Sequence, residues 1–136
     1  RGRTMRNDDM FKHAGHLYVY FTYGMHYCCN VVCGSEGEGA AVLIRAVEPL
    51  VGHQIIQAHR GVAGVNATNG PAKLCQALAI DRRLSGHDLS YPPIRLVRGL
   101  PLLDDVITSA PRVGISKAVH ELRRFYITGN AYVSRR

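Results

Sequence analysis

Leu17-Tyr18-Val19-Tyr20-Phe21-Thr22-Tyr23-Gly24-Met25-His26-Tyr27-Cys28-Cys29-Asn30-Val31-Val32-Cys33 is the stretch on which the fold turns. β-Branched and aromatic side chains fill both of its ends, which predicts one strand over Leu17 to Thr22 and another over His26 to Cys33. Tyr23-Gly24-Met25 lies between them, with Gly24 as the turn residue, so the two strands form a β-hairpin. The two-residue period puts Tyr18, Tyr20 and Thr22 on one face. It puts Leu17, Val19, Phe21 and Tyr23 on the other. Both faces are bulky. One must pack on a core, and the other must meet something that accepts aromatic rings.

Outward from the hairpin, the glycine- and glutamate-rich run Gly34 to Gly39 is a turn into a third strand, Ala40 to Val47. Pro49 opens a helix to about Arg60, with Val51, Ile55 and Ile56 as its apolar positions. Gly61 to Thr68 is a loop. Asn69-Gly70-Pro71 starts a second helix, with Leu74, Leu78 and the alanines facing the core. Asp81 to Pro93 is irregular, and Ile94-Arg95-Leu96-Val97 is a strand. Pro101 to Ile115 mixes turn and short helix. Arg124 to Thr128 is the last strand, ended by Gly129-Asn130. Strands, then helices, then strands without a βαβ rhythm predict an α+β fold. The sheet is expected to be mainly antiparallel and open-barrel-like, with packed helices and a protruding hairpin.

The chain has 136 residues, the length of one ordinary domain. No apolar run approaches the ~18 residues of a membrane span. The net charge of +7, from 17 Lys and Arg against 10 Asp and Glu, suits either a polyanionic partner or a surface kept basic for solubility. Arginine dominates the cations, and its fork matches phosphate better than a lysine point charge does. The opening run Arg1-Gly2-Arg3-Thr4-Met5-Arg6-Asn7 reads as a loop that meets phosphates, as a solvated arm, or as a cut inside a longer protein. Cys28, Cys29, Cys33 and Cys75 include no C-x-x-C pair, so reduced, partly buried thiols are expected and a metal site is not. In a basic chain the tip has two readings. Tyr23 and Met25 fold back onto the sheet, or they stand out as wedges that unstack a base step and hold open the place of a flipped nucleotide.

Gly15-His16-Leu17-Tyr18-Val19-Tyr20-Phe21-Thr22-Tyr23-Gly24-Met25-His26 resembles the signature hairpin of the alkyladenine (3-methyladenine) DNA glycosylase family. The resemblance continues through Val42-Leu43-Ile44-Arg45-Ala46-Val47-Glu48-Pro49 and through Asn69-Gly70-Pro71-Ala72-Lys73-Leu74-Cys75-Gln76-Ala77-Leu78. It extends to Arg112-Val113-Gly114-Ile115 and Arg124-Phe125-Tyr126, in the family's order over nearly the whole chain. The resemblance implies a monofunctional base-excision repair enzyme that flips alkylated purines out of duplex DNA and hydrolyses the base–sugar bond, with no cofactor, metal or lysine nucleophile. It implies Tyr23 as the intercalating ring, with Met25 and His26 beside it. Tyr20 would stack on the flipped base, since alkylated purines are often cationic and attract an electron-rich ring face. Asn30 would disfavour guanine, or is simply a strand amide bonded to backbone. Arg45 and the backbone carbonyl of Val113 would hold the attacking water. Arg1, Arg3 and Arg6 would contact phosphate, and Lys73 either does so or is solvated.

One family feature has no counterpart. The reaction needs a carboxylate to activate water. In the family this is a glutamate followed by a pocket tyrosine and a histidine, all upstream of the arginine-rich loop with which this chain begins. Glu36 and Glu38 read as solvated, Glu48 faces away from Arg45, Asp8 and Asp9 are expected to pair with arginine, and Glu121 lies in a late charged stretch. The expectation is therefore a single domain, 1–136, lacking an N-terminal segment and impaired in chemistry. The alternative is a non-catalytic module that recognises damaged bases. A monomer on damaged double-stranded DNA, in the nucleoid or the nucleus and not at a membrane, completes the reading.

Overall fold

The computed structural model describes residues 2–133; Arg1 and residues 134–136 lie outside it. Strand β1 (Leu17–Thr22) pairs antiparallel with β2 (His26–Val32), in a register that sets Leu17 opposite Val31 and Thr22 opposite His26. β2 pairs in turn with β3 (Ala41–Leu43), Asn30 opposite Leu43. Helices α1 (His53–Arg60) and α2 (Pro71–Ala77) follow. Strands β4 (Ile107–Ala110) and β5 (Arg124–Ile127) then form a separate antiparallel pair. The fold is α+β with antiparallel sheets, as expected, and neither sheet closes into a barrel among the described residues.

The core lies between the hairpin and α2. Leu17, Val19 and Cys29 project from one sheet face and meet Leu74 and Cys75 of α2, together with Ile80 and Leu89. Val19, Leu74 and Cys75 are at most 1% exposed, so β1 and α2 close on each other here, whereas Phe21 and Leu78, the latter expected in the core, are 40% and 44% exposed. Pro71 stands at the start of α2, where its missing N–H and fixed φ are no handicap. A smaller cluster of Ile56, Ala67 and Ala77 joins α1 to α2. His59 Nδ1 meets the Ala77 carbonyl at 2.9 Å and Gln76 donates to the His59 carbonyl at 3.1 Å across the same contact.

Four expectations are corrected. α1 begins at His53 and not at Pro49, because Gly52 takes a left-handed φ of 77° that a helix interior cannot hold. Leu50 and Val51 are left exposed before it. The third strand is Ala41–Leu43, shorter than Ala40 to Val47. After Ile44, whose N–H still donates to Cys29 O, the chain turns toward Thr68, whose hydroxyl donates to Val47 O at 2.6 Å. Ile94 to Val97 forms no strand; its one ladder-like bond is Leu96 N–H to Leu89 O. The outer edge of β1, where a further strand would add, is already occupied by 82–87. Within 101–115 a 3-10 turn, Asp104–Val106, fits the short helix, but β4 follows it and was not expected. Its sequence Ile107-Thr108-Ser109-Ala110 is too short and too polar for periodicity to separate from a loop.

Candidate nucleic-acid interface

The hairpin tip stands clear of the protein. Tyr23 is 87% exposed and Met25 67%, so neither side chain folds back onto the sheet. Tyr23 and Gly24 both take positive φ, 52° and 67°, and Met25 N–H closes the turn on Thr22 O at 3.2 Å. Positive φ at both central residues is the arrangement that matches strand twist in a tight hairpin. Glycine adopts it freely, whereas tyrosine does so at a cost of about 1–2 kcal/mol. The strain falls on the residue that is most exposed in the loop, a pattern often found at functional sites. His26, also exposed, pairs with Thr22 at the foot of the turn.

Behind the tip, the hairpin face away from α2 carries the other candidates together. Tyr18 and Tyr20 stack with ring centroids 5.7 Å apart and planes inclined by 27°. Across the register lie Cys28, opposite Tyr20, and Asn30, opposite Tyr18. Asn30 is 8% exposed and donates through Nδ2 to Tyr18 O at 3.2 Å, which orients the amide and leaves its oxygen available. Continuing the β2–β3 register past Leu43 and Ile44 sets Arg45 opposite Cys28. Arg45 is close enough for its charge to favour ionisation of both Tyr20 and Cys28, but burial outweighs it. Burial, with help from Cys28, pushes the Tyr20 hydroxyl up to about 12. Burial likewise raises Tyr18 and Cys28. The face is thus a neutral aromatic surface edged by one amide and one guanidinium, suited to a flat, polar-edged ring.

The remaining candidates are dispersed. Arg3 is exposed and pairs with Asp8 at 2.5 Å, which raises the arginine and lowers the carboxyl. Asp9 pairs with Lys12, not with an arginine. Arg6 donates to Phe21 O at 2.7 Å, which brings the basic loop against the hairpin. Lys73 sits in the first turn of α2, on the core side of the sheet, and donates to Asn69 Oδ1 at 2.7 Å. Val113 is half-buried in the irregular segment between β4 and β5. Arg1 lies outside the described residues. Tyr18 was not singled out from the sequence, although the two-residue period places it on the same face as Tyr20, which the family resemblance selected. No group of three or more His, Cys, Asp or Glu side chains among the described residues could hold a metal ion.

Comparison with known proteins identifies the family. The family model described as methylpurine-DNA glycosylase matches residues 1–131. A protein of Carboxydothermus hydrogenoformans named as a 3-methyladenine DNA glycosylase is 49% identical over all of this chain and 72% of its own length. Similarly named proteins of Methanoculleus marisnigri and Agrobacterium fabrum are 47% and 45% identical, over 100% and 99% of this chain and 73% and 68% of theirs. The hairpin, the segment after β3 that carries Arg45 and the helix opened by Pro71 all fall inside these matches, and the chain belongs to the methylpurine-DNA glycosylase family.

Proposed function

We propose that this chain binds duplex DNA containing an alkylated purine, inserts Tyr23 where the flipped nucleotide was, and receives the base on the Tyr18–Tyr20 face. The observation that carries the reading is the union, on one hairpin, of an exposed strained tyrosine tip with a buried aromatic face edged by Asn30 and Arg45. Met25 and His26 flank the wedge against neighbouring bases. Asn30, fixed by its bond to Tyr18 O, crowds the exocyclic amine of guanine and so favours adenine-type lesions. Arg45 and the Val113 carbonyl orient the attacking water. Arg1, Arg3 and Lys73 supply a positive field to the duplex, while Arg6 is turned to the hairpin by its bond to Phe21 O.

The same reading assigns the water-activating carboxylate to none of this chain's ten acids. Asp8, Asp9, Asp81 and Glu121 each pair with a neighbouring Arg or Lys. Glu38 accepts from Ser35 N–H, Asp88 from Ser90 N–H and Glu48 from Asn130. Glu36 lies in the exposed turn before β3, and Asp104 and Asp105 open an exposed 3-10 turn. On this ground the chain recognises the lesion but cleaves poorly by itself. The test incubates the chain with duplexes carrying hypoxanthine or ethenoadenine, measuring binding by anisotropy and base release as abasic sites. Selective binding with negligible release is expected. Rapid release would refute the assignment of the carboxylate, and loss of selective binding would refute the site.

A further inference from the structure

β1 is an edge strand, with β2 on one side only. Its outward backbone groups would normally be left to solvent or to another strand. Here five of them, from Leu17 N–H to Phe21 O, are taken up by a single stretch of chain and by the basic loop. Leu17 N–H donates to His87 O at 2.8 Å, and Leu17 O accepts from Gly86 N–H at 2.7 Å. Val19 N–H donates to Ser85 Oγ at 3.1 Å. Val19 O accepts from Arg82 at 2.9 Å, and Phe21 O accepts from Arg6 at 2.7 Å. Arg82 also reaches Arg6 O at 3.4 Å, tying the two cationic segments together. The tethers climb the strand toward the tip, and the highest, at Phe21, stands two residues from Tyr23. Gly86 suits the foot through its left-handed backbone. Its φ is +83°, and a Cβ there would come within 2.6 Å of Asp9 Oδ1 and 2.5 Å of Lys12 Nζ.

We infer that Arg6, Arg82 and Ser85 are positioning residues that hold the outer edge of the hairpin and so aim Tyr23, with the two arginines acting through the Val19 and Phe21 carbonyls and not through DNA phosphate. The inference rests on the reading of Tyr23 as the wedge. An exposed two-stranded tip has little rigidity of its own. A wedge that must be immobilised on binding loses affinity to the ordering, and a wedge held beforehand does not. Charge-assisted bonds from arginine to backbone carbonyls are among the stronger tethers available.

The test uses the whole chain with Arg82→Gln, Arg6→Gln and the uncharged change Ser85→Ala, each alone and each combined with Tyr23→Ala. Affinity is measured for an ethenoadenine duplex and for the matching undamaged duplex across a salt series. Each single change is expected to lower lesion affinity about tenfold, and undamaged-duplex affinity much less. The slope of log affinity against log salt should not change. In the Tyr23→Ala background the same changes should add little, because they act through the missing ring. A salt slope shallower by about one unit for either arginine change would mark a lost phosphate contact and overturn the inference. An unchanged ratio of lesion to undamaged affinity would overturn it too. If Tyr23→Ala alone leaves lesion affinity intact, the wedge reading itself fails, separately from the tethers.

Discussion

The base and the tip of the hairpin are continuous in sequence and opposite in character. At the base, Leu17, Val19, Cys29 and Val32 are buried to within 3% of completely, and the outward N–H and C=O of Leu17 and Val19 are all bonded. Four residues beyond Val19, Tyr23 and then Met25 stand in solvent on strained or turn backbone. The base therefore carries stability, and the tip carries exposed apolar surface that contributes nothing to the isolated fold. An exposed tyrosine on left-handed backbone is a poor choice for folding. Its presence is best understood through something outside the chain, in keeping with the wedge proposed for it.

The sharpest way to break this contrast is to damage the base. Leu74→Ala removes the α2 side chain that seals the hairpin, and should destabilise the protein by about 2–5 kcal/mol, read as a lower denaturant midpoint. Lesion binding should fall with the folded fraction, because the tip depends on the base. A smaller and opposite effect is expected at the tip. Tyr23→Asn should weaken binding to lesion duplex by about 1–3 kcal/mol, the usual worth of a base–aromatic stack. Asparagine tolerates left-handed backbone better than tyrosine. The denaturant midpoint should therefore stay level or rise. A midpoint that falls with binding would mean that the ring supports the fold after all.

The smallest effect is one of pH. The Tyr20 hydroxyl is held near 12 in the folded chain, above the ordinary value of 10.0. The folded state thus keeps a proton that the unfolded state loses first. Its contribution to stability is complete below about pH 10 and is lost as pH rises toward 12. Burial raises Tyr18 and Cys28 in the same direction. Tyr20→Phe should flatten the alkaline fall in denaturant midpoint, without abolishing it. An identical alkaline profile for wild type and variant would show that the Tyr20 ring is solvated when folded.

The hairpin was legible because Leu17 to Val32 satisfies propensity, alternation and turn chemistry at once. The start of α2 was legible for a similar reason, Pro71 in the first turn. α1 was misplaced by four residues because Pro49 is an equally good opener, and only the backbone at Gly52 decides between them. β4 and the absence of a strand at Ile94 to Val97 are questions of partners, and no local pattern reports whether a sheet edge is vacant. Tyr20, Asn30 and Arg45 were legible only through the family resemblance, and it is the register of β1 with β2 that sets Tyr18 beside Tyr20 across from Asn30 and Cys28. The tethers of Arg6 and Arg82 do not, since each joins residues 15 and 63 positions apart, through backbone carbonyls that every sequence possesses.

The positive φ of Tyr23 has a practical consequence for anyone improving this protein. Screens that reward heat resistance or soluble yield will favour glycine or asparagine at that position, since either relaxes the turn and removes an exposed ring. On the proposed reading, each such gain erases the contact with DNA. Position 23 is then a site where stability ranks variants in the wrong order, and a library should hold it fixed while the rest of the hairpin is allowed to vary.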